Sequence, residues 1–414
     1  SNYYIKGAAK KMAENKKPGN TLSTTEKKLT FCIKSKSCGA CHLANLSYDQ
    51  QLSLKTGTTI KLISKFCHIE PIIGAKNPTG YRNKAQAVFM KDKRNNLVSG
   101  IYRSSDGNAV PVDNCRLQTA KTNEIFKTLC LLFKSFKVKP FDPRTKSGYL
   151  RSVTIREAFA TGEIMVIISA VTPDFPAKKT FCTALVGKHP EIKSVIFAQN
   201  KNTERLFQGT NSKVLYGKPY ITDYLCGLEF HISPLSFYQI NHDQTEILYN
   251  KAIELAQLSN EDTVLDAYCG IGTIGLVASK QAKSVIGFEI NDDAVKSAIE
   301  NAKLNKIKNV RFYKASDSEF FDFASDENLN FSTVFLDPPR AGCSQSFLSA
   351  LCSKLKPKKI VYISCNPETQ ARDLKFLTKN GYKCKTSQPV DMFPYTNHIE
   401  NIVLIEKVFI SDVQ

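Results

Sequence analysis

The order of apolar and polar positions divides the chain into two regimes. From 81 to 103 it reads as two strands about a turn at Lys93 to Asn96, and 150 to 171 repeats the pattern about Thr161-Gly162. Alternation broken by turn residues predicts antiparallel hairpins. After about residue 244 the regime changes to short apolar runs between helical stretches. A helix is predicted from Gln244 to Ala256, followed by strands at Thr263 to Asp266, Ser284 to Glu289, Thr333 to Leu336 and Ile360 to Ser364. Helical stretches near 292–304, 344–355 and 367–379 lie between and after them, and a last strand runs from Asn401 to Glu406. Strands alternating with helices imply βαβ units and a parallel sheet covered on both faces. Residues 1–30 hold seven lysines, few apolar positions and a Pro18-Gly19-Asn20 break, which predicts a mobile basic arm.

Composition adds limits. A chain of 414 residues should hold two or three domains. No run approaches the roughly 18 apolar residues of a membrane span. The first residues lack a basic stretch followed by an apolar one, so no export is expected and the protein is placed in the cytoplasm. There the 13 cysteines read as thiols or metal ligands rather than disulfides. The net charge is +19, but residues 261 to 414 hold 19 basic and 19 acidic side chains, so the whole excess lies in the first 260 residues. That asymmetry predicts a polyanion-binding part joined to a neutral, catalytic or cofactor-binding part. Arg82, Lys84, Lys91, Lys93, Arg94 and Arg103, interleaved with Tyr81, Phe89 and Tyr102, suit phosphates and stacked bases. Basic hairpin edges also serve solubility alone.

The candidate chemistry clusters at predicted strand ends. In VLDAYCGIGT (264–273) a strand runs through Tyr268 into Gly270-x-Gly272 and then a helix, and Glu289 ends the next strand 23 residues after Asp266. That is the spacing at which a doubly wound sheet presents a carboxylate to ribose hydroxyls. With the third glycine of the dinucleotide fingerprint missing, the pattern resembles the nucleoside pocket of S-adenosyl-L-methionine-dependent methyltransferases. Asp337 ends another strand in LDPPR (336–340). Cys365 follows the next in ISCNP (363–367), where a helix N-terminus is expected to lower the thiol pKa. Cys32-x5-Cys38-x2-Cys41 is a three-thiol metal or cluster signal. Its fourth ligand is Cys67 or Cys115, and spacing alone does not separate iron from zinc.

Five segments in order, SFYQIN (236–241), DAYCGIG (266–272), LDPPR (336–340), YISCNP (362–367) and DMFPYTNHIENIVL (391–404), resemble the RNA 5-methyluridine methyltransferase family. The resemblance covers residues from about 32 to 406. It implies an α/β fold in which a Rossmann-like S-adenosyl-L-methionine-dependent methyltransferase domain (231–414) is preceded by a basic α+β RNA-binding domain with an iron–sulfur cluster (31–230) and the arm (1–30). It also implies Cys365 as nucleophile, Glu400 as base, and Gln239, Tyr268, Glu289 and Asp337 as contacts to the methyl donor, with Gly270 in the donor turn. Thr273 stands where several members carry Asn. The family's iron–sulfur members share the x5, x2 spacing, which implies a [4Fe-4S] cluster on Cys32, Cys38, Cys41 and Cys115.

In the family that cluster goes with large-subunit (23S) ribosomal RNA and its absence with transfer RNA, so ribosomal RNA is favoured as substrate and transfer RNA is the alternative. Many ribosomal members also carry a small N-terminal β-barrel, the TRAM domain. Only 31 residues precede Cys32, so that barrel is not expected. A monomer is expected. Two rivals are weighed. A cytosine-5 RNA methyltransferase typically has a second cysteine where Arg340 stands. A non-catalytic RNA-binding protein would not need Cys365 and Glu400.

The chemistry of uracil supports the two roles independently. Carbon 5 is too weak a nucleophile to attack a sulfonium methyl until a thiolate adds to carbon 6. The proton then left on carbon 5 requires a base within about 3 Å.

Overall fold

The structure, a computed structural model, describes residues 31–103, 105–142, 145–200 and 211–408. The basic arm at 1–30 lies outside the described residues.

In chain order the first strands are β1 (His68–Ile69), β2 (Lys84–Lys91), β3 (Leu97–Tyr102), β4 (Ala109–Pro111), β5 (Leu150–Glu157), β6 (Ile164–Ala170), β7 (Ile192–Gln199) and β8 (Asn211–Gly217). Strands β2 to β8 form one seven-stranded sheet in the order β4-β3-β2-β5-β6-β7-β8. The pairs β2/β3 and β5/β6 are the two hairpins read from the sequence. The pair β6/β7 is parallel, so its connection must cross over, which the helix Lys178–Lys188 does. That helix and Ala120–Ser135 share one core with the sheet, in which Phe126, Phe133 and Phe181 meet Ile155, Val166 and Phe197. Each fully buried phenylalanine there contributes about 1.5–3 kcal/mol.

The remaining strands are β9 (Ile221–Leu225), β10 (Leu228–Ile232), β11 (Thr263–Ala267), β12 (Ser284–Glu289), β13 (Val310–Lys314), β14 (Thr333–Leu336), β15 (Lys359–Ser364), β16 (Tyr382–Val390) and β17 (Glu400–Lys407). They form an eight-stranded sheet in the order β1-β16-β17-β15-β14-β11-β12-β13, with β9/β10 as a separate hairpin. The eight-stranded sheet is parallel except for β17, which runs antiparallel to both its neighbours. Its residues alternate between two cores. Val264, Val285, Phe335 and Val361 pack on one face with Leu248 and Leu276, while Leu265, Phe288, Val334 and Tyr362 pack on the other with Phe320, Phe347 and Leu374. Burial on both faces explains the continuous apolar runs of these strands.

Two features depart from the 31–230 and 231–414 division. The helix Tyr48–Ile63 inserts Ile63 into the core of the eight-stranded sheet, and β1 pairs with β16 at that sheet's edge. The β9/β10 hairpin joins the opposite core through Ile221, Phe230 and Ile232. The N-terminal segment thus reaches across and becomes part of the C-terminal unit.

Candidate active site

From β11 the chain passes to β12 and β13 on one side and returns to β14 on the other. The strand order reverses between β11 and β14, and a crevice opens there beyond their carboxyl ends. It is a cleft of about 1360 Å³, and Gln239, Tyr268, Gly270, Glu289, Asp337, Cys365 and Glu400 all line it.

The turn after β11 builds one part. Tyr268 has φ +63°, Gly270 +54° and Gly272 +82°. A Cβ on Gly272 would stand 2.6 Å from the Phe312 ring, so only glycine fits where the loop crosses β13. Asp266 accepts the Gly275 N–H at 2.7 Å behind the turn, and burial pushes its carboxyl up to about 7. Glu289 accepts N–H groups from Gly270 at 3.3 Å and Asn291 at 2.9 Å, which fixes its carboxylate at the end of β12. The Tyr268 hydroxyl donates to Asp317 at 3.3 Å. Tyr249, from the helix His242–Ala256, lies among Asp337, Thr273 and Gln239.

The reversed strand builds the other part. In the β15/β17 ladder Ser364 pairs with Asn401, so the next positions outward, Cys365 and Glu400, stand opposite each other at the same edge. Opposed residues of an antiparallel pair have Cα atoms about 5 Å apart. Glu400 is 3% exposed, and burial with the nearby Asp337 carboxylate drives its pKa far above the usual range. Burial pushes Asp337 up to about 7. The Cys365 thiol is pushed up to about 11 by burial and by Glu400 and Asp337, while the nearby Arg340 guanidinium pulls the other way. This corrects the expected lowering. The N–H groups beside Cys365 are already used: Asn366 donates to Ser364 Oγ at 3.1 Å, Glu368 donates to Asn366 Oδ1 at 3.1 Å, and Pro367 has none.

Arg340 Nη2 donates to His398 Nδ1 at 2.8 Å. Nη2 also stands 3.3 Å from Nε2 of the same ring, and because arginine only donates, the ring nitrogen that meets it does so through a lone pair. Burial and the cations Arg340, His42, Lys55 and Arg82 pull His398 down to about 4, so it is neutral near pH 7. Sequence reasoning gave roles to neither Tyr249 nor Asp317. Asp317 begins a helix after β13, a five-residue strand with exposed Arg311 and Lys314 and a single buried residue, Phe312. With that strand recognised, the rule that ligands bind beyond strand carboxyl ends would have pointed to Asp317.

The sequence profile of the tRNA (Uracil-5-)-methyltransferase family matches residues 189–408. An uncharacterized RNA methyltransferase of Caldanaerobacter subterraneus subsp. tengcongensis is 38% identical over 98% of this chain and 93% of its own. The chain belongs to this methyltransferase family. A second uncharacterized RNA methyltransferase, from Bacillus cereus, is 36% identical over 91% of this chain and 83% of its own. Among solved structures, the Pyrococcus abyssi tRNA (uracil-54, C5)-methyltransferase in complex with S-adenosyl-L-homocysteine matches with a TM-score of 0.74 and 27% identity, over 88% of this chain and 85% of that one. This chain is accordingly an RNA methyltransferase that uses S-adenosyl-L-methionine. The cleft fits such a donor, because it offers a turn with space at Gly270 and a carboxylate at the end of β12 beside an aromatic ring.

The four cysteines of the cluster reading lie away from the cleft lining. Cys32, Cys41 and Cys115 pack against Phe31, Ala44, Tyr81 and Leu117. Burial pushes Cys41 up to about 12, with Cys115, Cys38 and Cys32 adding to the rise and Arg82 opposing it. Cys38 is raised by burial and by Cys115 and Cys32. Cys67 instead packs with the core of the eight-stranded sheet and faces Cys384. Among the described residues, no three His, Cys, Asp or Glu side chains form a group that could hold a metal ion. No described helix is long and apolar enough to cross a membrane.

Proposed function

We propose that this enzyme methylates carbon 5 of a uridine in RNA, with Cys365 as nucleophile and Glu400 as base. The observation that carries the reading is the register that sets a thiol and a buried carboxyl opposite each other at the floor of the cleft. The Cys365 thiolate bonds to carbon 6, and the ring's π pair shifts to an enolate with density at carbon 5. Bound S-adenosyl-L-methionine supplies the electrophilic methyl carbon, and Gln239, Tyr268, Gly270, Glu289 and Asp337 are the residues that would hold it. Glu400 then takes the carbon 5 proton, the pair returns to the ring, and the Cys365 sulfur leaves. Burial raises the proton affinity of Glu400, so it must first ionise to serve, and its carboxylate form is then a stronger acceptor than a solvated one. Arg340 is the cation that favours the thiolate over the thiol.

Ribosomal RNA is the favoured substrate because of the four-cysteine set. A second reading, transfer RNA, is favoured by the likeness to the Pyrococcus abyssi tRNA enzyme. The net charge of +19 suits either polyanion, and the enzyme is proposed to act as a monomer in the cytoplasm. The test is to map 5-methyluridine in ribosomal and transfer RNA from cells lacking the protein. One specific uridine should lose its methyl group, and an active copy, but not Cys365→Ala, should restore it. An unchanged modification map would overturn the assignment.

Cys32, Cys38, Cys41 and Cys115 are the residues that would hold a [4Fe-4S] cluster, since four thiolates are its usual ligands, although the described residues do not gather them as a metal-ion site. The methyl transfer needs no electron, so the cluster is proposed to be structural, fastening the basic hairpin that meets RNA. Protein purified without oxygen is expected to be brown, to absorb broadly at the blue end of the visible range and to contain iron rather than zinc. Cys115→Ser should lose the colour and Cys67→Ser should keep it. The reverse result would make Cys67 the ligand.

A further inference from the structure

The loop between β16 and β17 is held from below by a buried ion pair. Lys55 Nζ lies 2.6 Å from Asp391 Oδ1, with both side chains at or below 1% exposure. The Tyr48 hydroxyl donates to Asp391 Oδ2 at 2.9 Å and accepts the Ala75 N–H at 2.6 Å. Lysine and aspartate are almost never fully buried unless paired, and a stability role alone is a weak reason to keep such a pair. What this one touches next is informative. Lys55 Nζ also donates to the Phe393 carbonyl at 3.1 Å, and the same carbonyl accepts from Thr396 Oγ1 at 2.8 Å. Thr396 Oγ1 in turn accepts the His398 N–H at 3.3 Å, and the His398 ring meets the Phe393 ring edge-on. His398 Nδ1 accepts from Arg340, which lines the same cleft as Cys365 and whose charge bears on the thiol.

We propose that Lys55 is a positioning residue, which through the Phe393 carbonyl, Thr396 and His398 sets the place of the Arg340 guanidinium at Cys365. A line of polar contacts then runs from the N-terminal helix Tyr48–Ile63, through the loop and His398, to the guanidinium whose charge bears on the thiol. Gln51 of the same helix adds a second tether by accepting the Tyr395 N–H at 2.7 Å. Among the described residues the charged groups that bear most on Cys365 are Glu400, Asp337 and Arg340, and of these Arg340 is the cation. A shift of the loop would therefore act on Cys365 by moving that favourable charge. The inference rests on the proposed role of Cys365 as nucleophile.

The test uses the full-length protein and the rate at which it captures RNA carrying 5-fluorouridine, followed across pH. Lys55→Met is expected to slow capture roughly 10- to 100-fold near neutral pH, the scale of a small misplacement in an active site. It should move the pH profile of capture upward, with donor affinity and RNA affinity changed less than about twofold. A role in stability alone would lower the melting temperature and leave that profile in place. Thr396→Val, which cuts the same line at its other end, should move the profile in the same direction, and it serves alone if Lys55→Met does not fold. Folded variants of both kinds with the wild-type profile would overturn the proposal. If Arg340→Gln also leaves the profile unmoved, the failure lies in the role given to Arg340. If Cys365→Ala still captures RNA, it lies in the covalent reading itself.

Discussion

RNA with 5-fluorouridine at the target position is expected to form a denaturation-resistant adduct with the wild-type enzyme and none with Cys365→Ala. Fluorine does not leave carbon 5 as a proton does, so the reaction stops once the methyl group is in place and the carbon–sulfur bond persists. Cys365→Ala should also abolish methylation of ordinary RNA, since no other thiol is placed to act in its stead. Cys269 is the other cysteine in the cleft lining, and it is buried behind the donor turn with its pKa raised far above the ordinary range by burial and by Asp266 and Glu289. Glu400→Gln is expected to behave differently. Glutamine keeps the shape but takes no proton, so methyl transfer should proceed and the adduct should accumulate on unmodified RNA. Gel mobility under denaturing conditions, with the RNA and the methyl group labelled separately, checks both outcomes. Normal turnover by either variant would remove it from the mechanism.

The second large effect concerns pH. In the proposed mechanism Cys365 acts as a thiolate, and its thiol is pushed up to about 11, so below that pH the capture rate should climb about tenfold per unit as the thiolate fraction grows. Asp337 works against this climb. Its carboxyl is pushed up to about 7 and that of Glu400 well above the usual range, and each on ionising adds a like charge beside the thiol, so the rise should be shallower than tenfold per unit around neutrality and again where Glu400 ionises. Arg340→Gln removes a cation that favours the thiolate. The thiol pKa then rises further, and at any pH below it less thiolate is present. Loss of a partly buried charge contact of this kind should lower capture about 10- to 100-fold, equivalent to one to two units of displacement. Stopped-flow or quench measurements of adduct formation over the stable pH range check the slope and the displacement together. A bell centred on neutral pH, unchanged by Arg340→Gln, would show that another base ionises the thiol.

How much of this was readable beforehand depended on where each element's partners lie. The strands Ser284–Glu289 and Thr333–Leu336 and the helices Asp292–Leu304 and Pro367–Lys379 have the ends that the sequence predicted. Apolar runs buried on both sheet faces mark the strands. Asn291 and Asn366 at the N-caps, with Pro367 in the first turn, mark the helix starts. The strand Tyr382–Val390 was not legible. Its Thr386, Ser387 and Gln388 look like loop residues, yet their side chains are satisfied by Glu70, Asn401 and Pro71, two of which lie more than 300 positions away. Lys55 misleads in the same way, because a lysine in an amphipathic helix reads as solvated until its distant aspartate is known. In the cleft, residue types and strand ends indicated where Cys365 would lie. Its protonation depended on burial and on two carboxylates from other strands, and no local pattern carries that information.

The reversed strand β17 has a consequence for how this enzyme tolerates change. Thirty-four residues separate Cys365 from Glu400 along the chain, but across the sheet they face each other just beyond the Ser364 to Asn401 pair. Because the ladder sets their separation, the helix and turn between them can gain or lose residues while the thiol and the carboxyl still meet. Slippage is the change they cannot absorb. If β17 slid by a single residue, every side chain on it would exchange faces, and the carboxyl would be carried through the sheet to its other side. The buried Ser387 to Asn401 hydrogen bond, which fixes β17 to β16 at 2.9 Å, is therefore a registration mark as well as a stabilising contact. Inherited insertions between β15 and β16 should be silent for chemistry. Equally small ones inside β17 should leave a folded protein that still grips donor and RNA but has no base within reach of the ring.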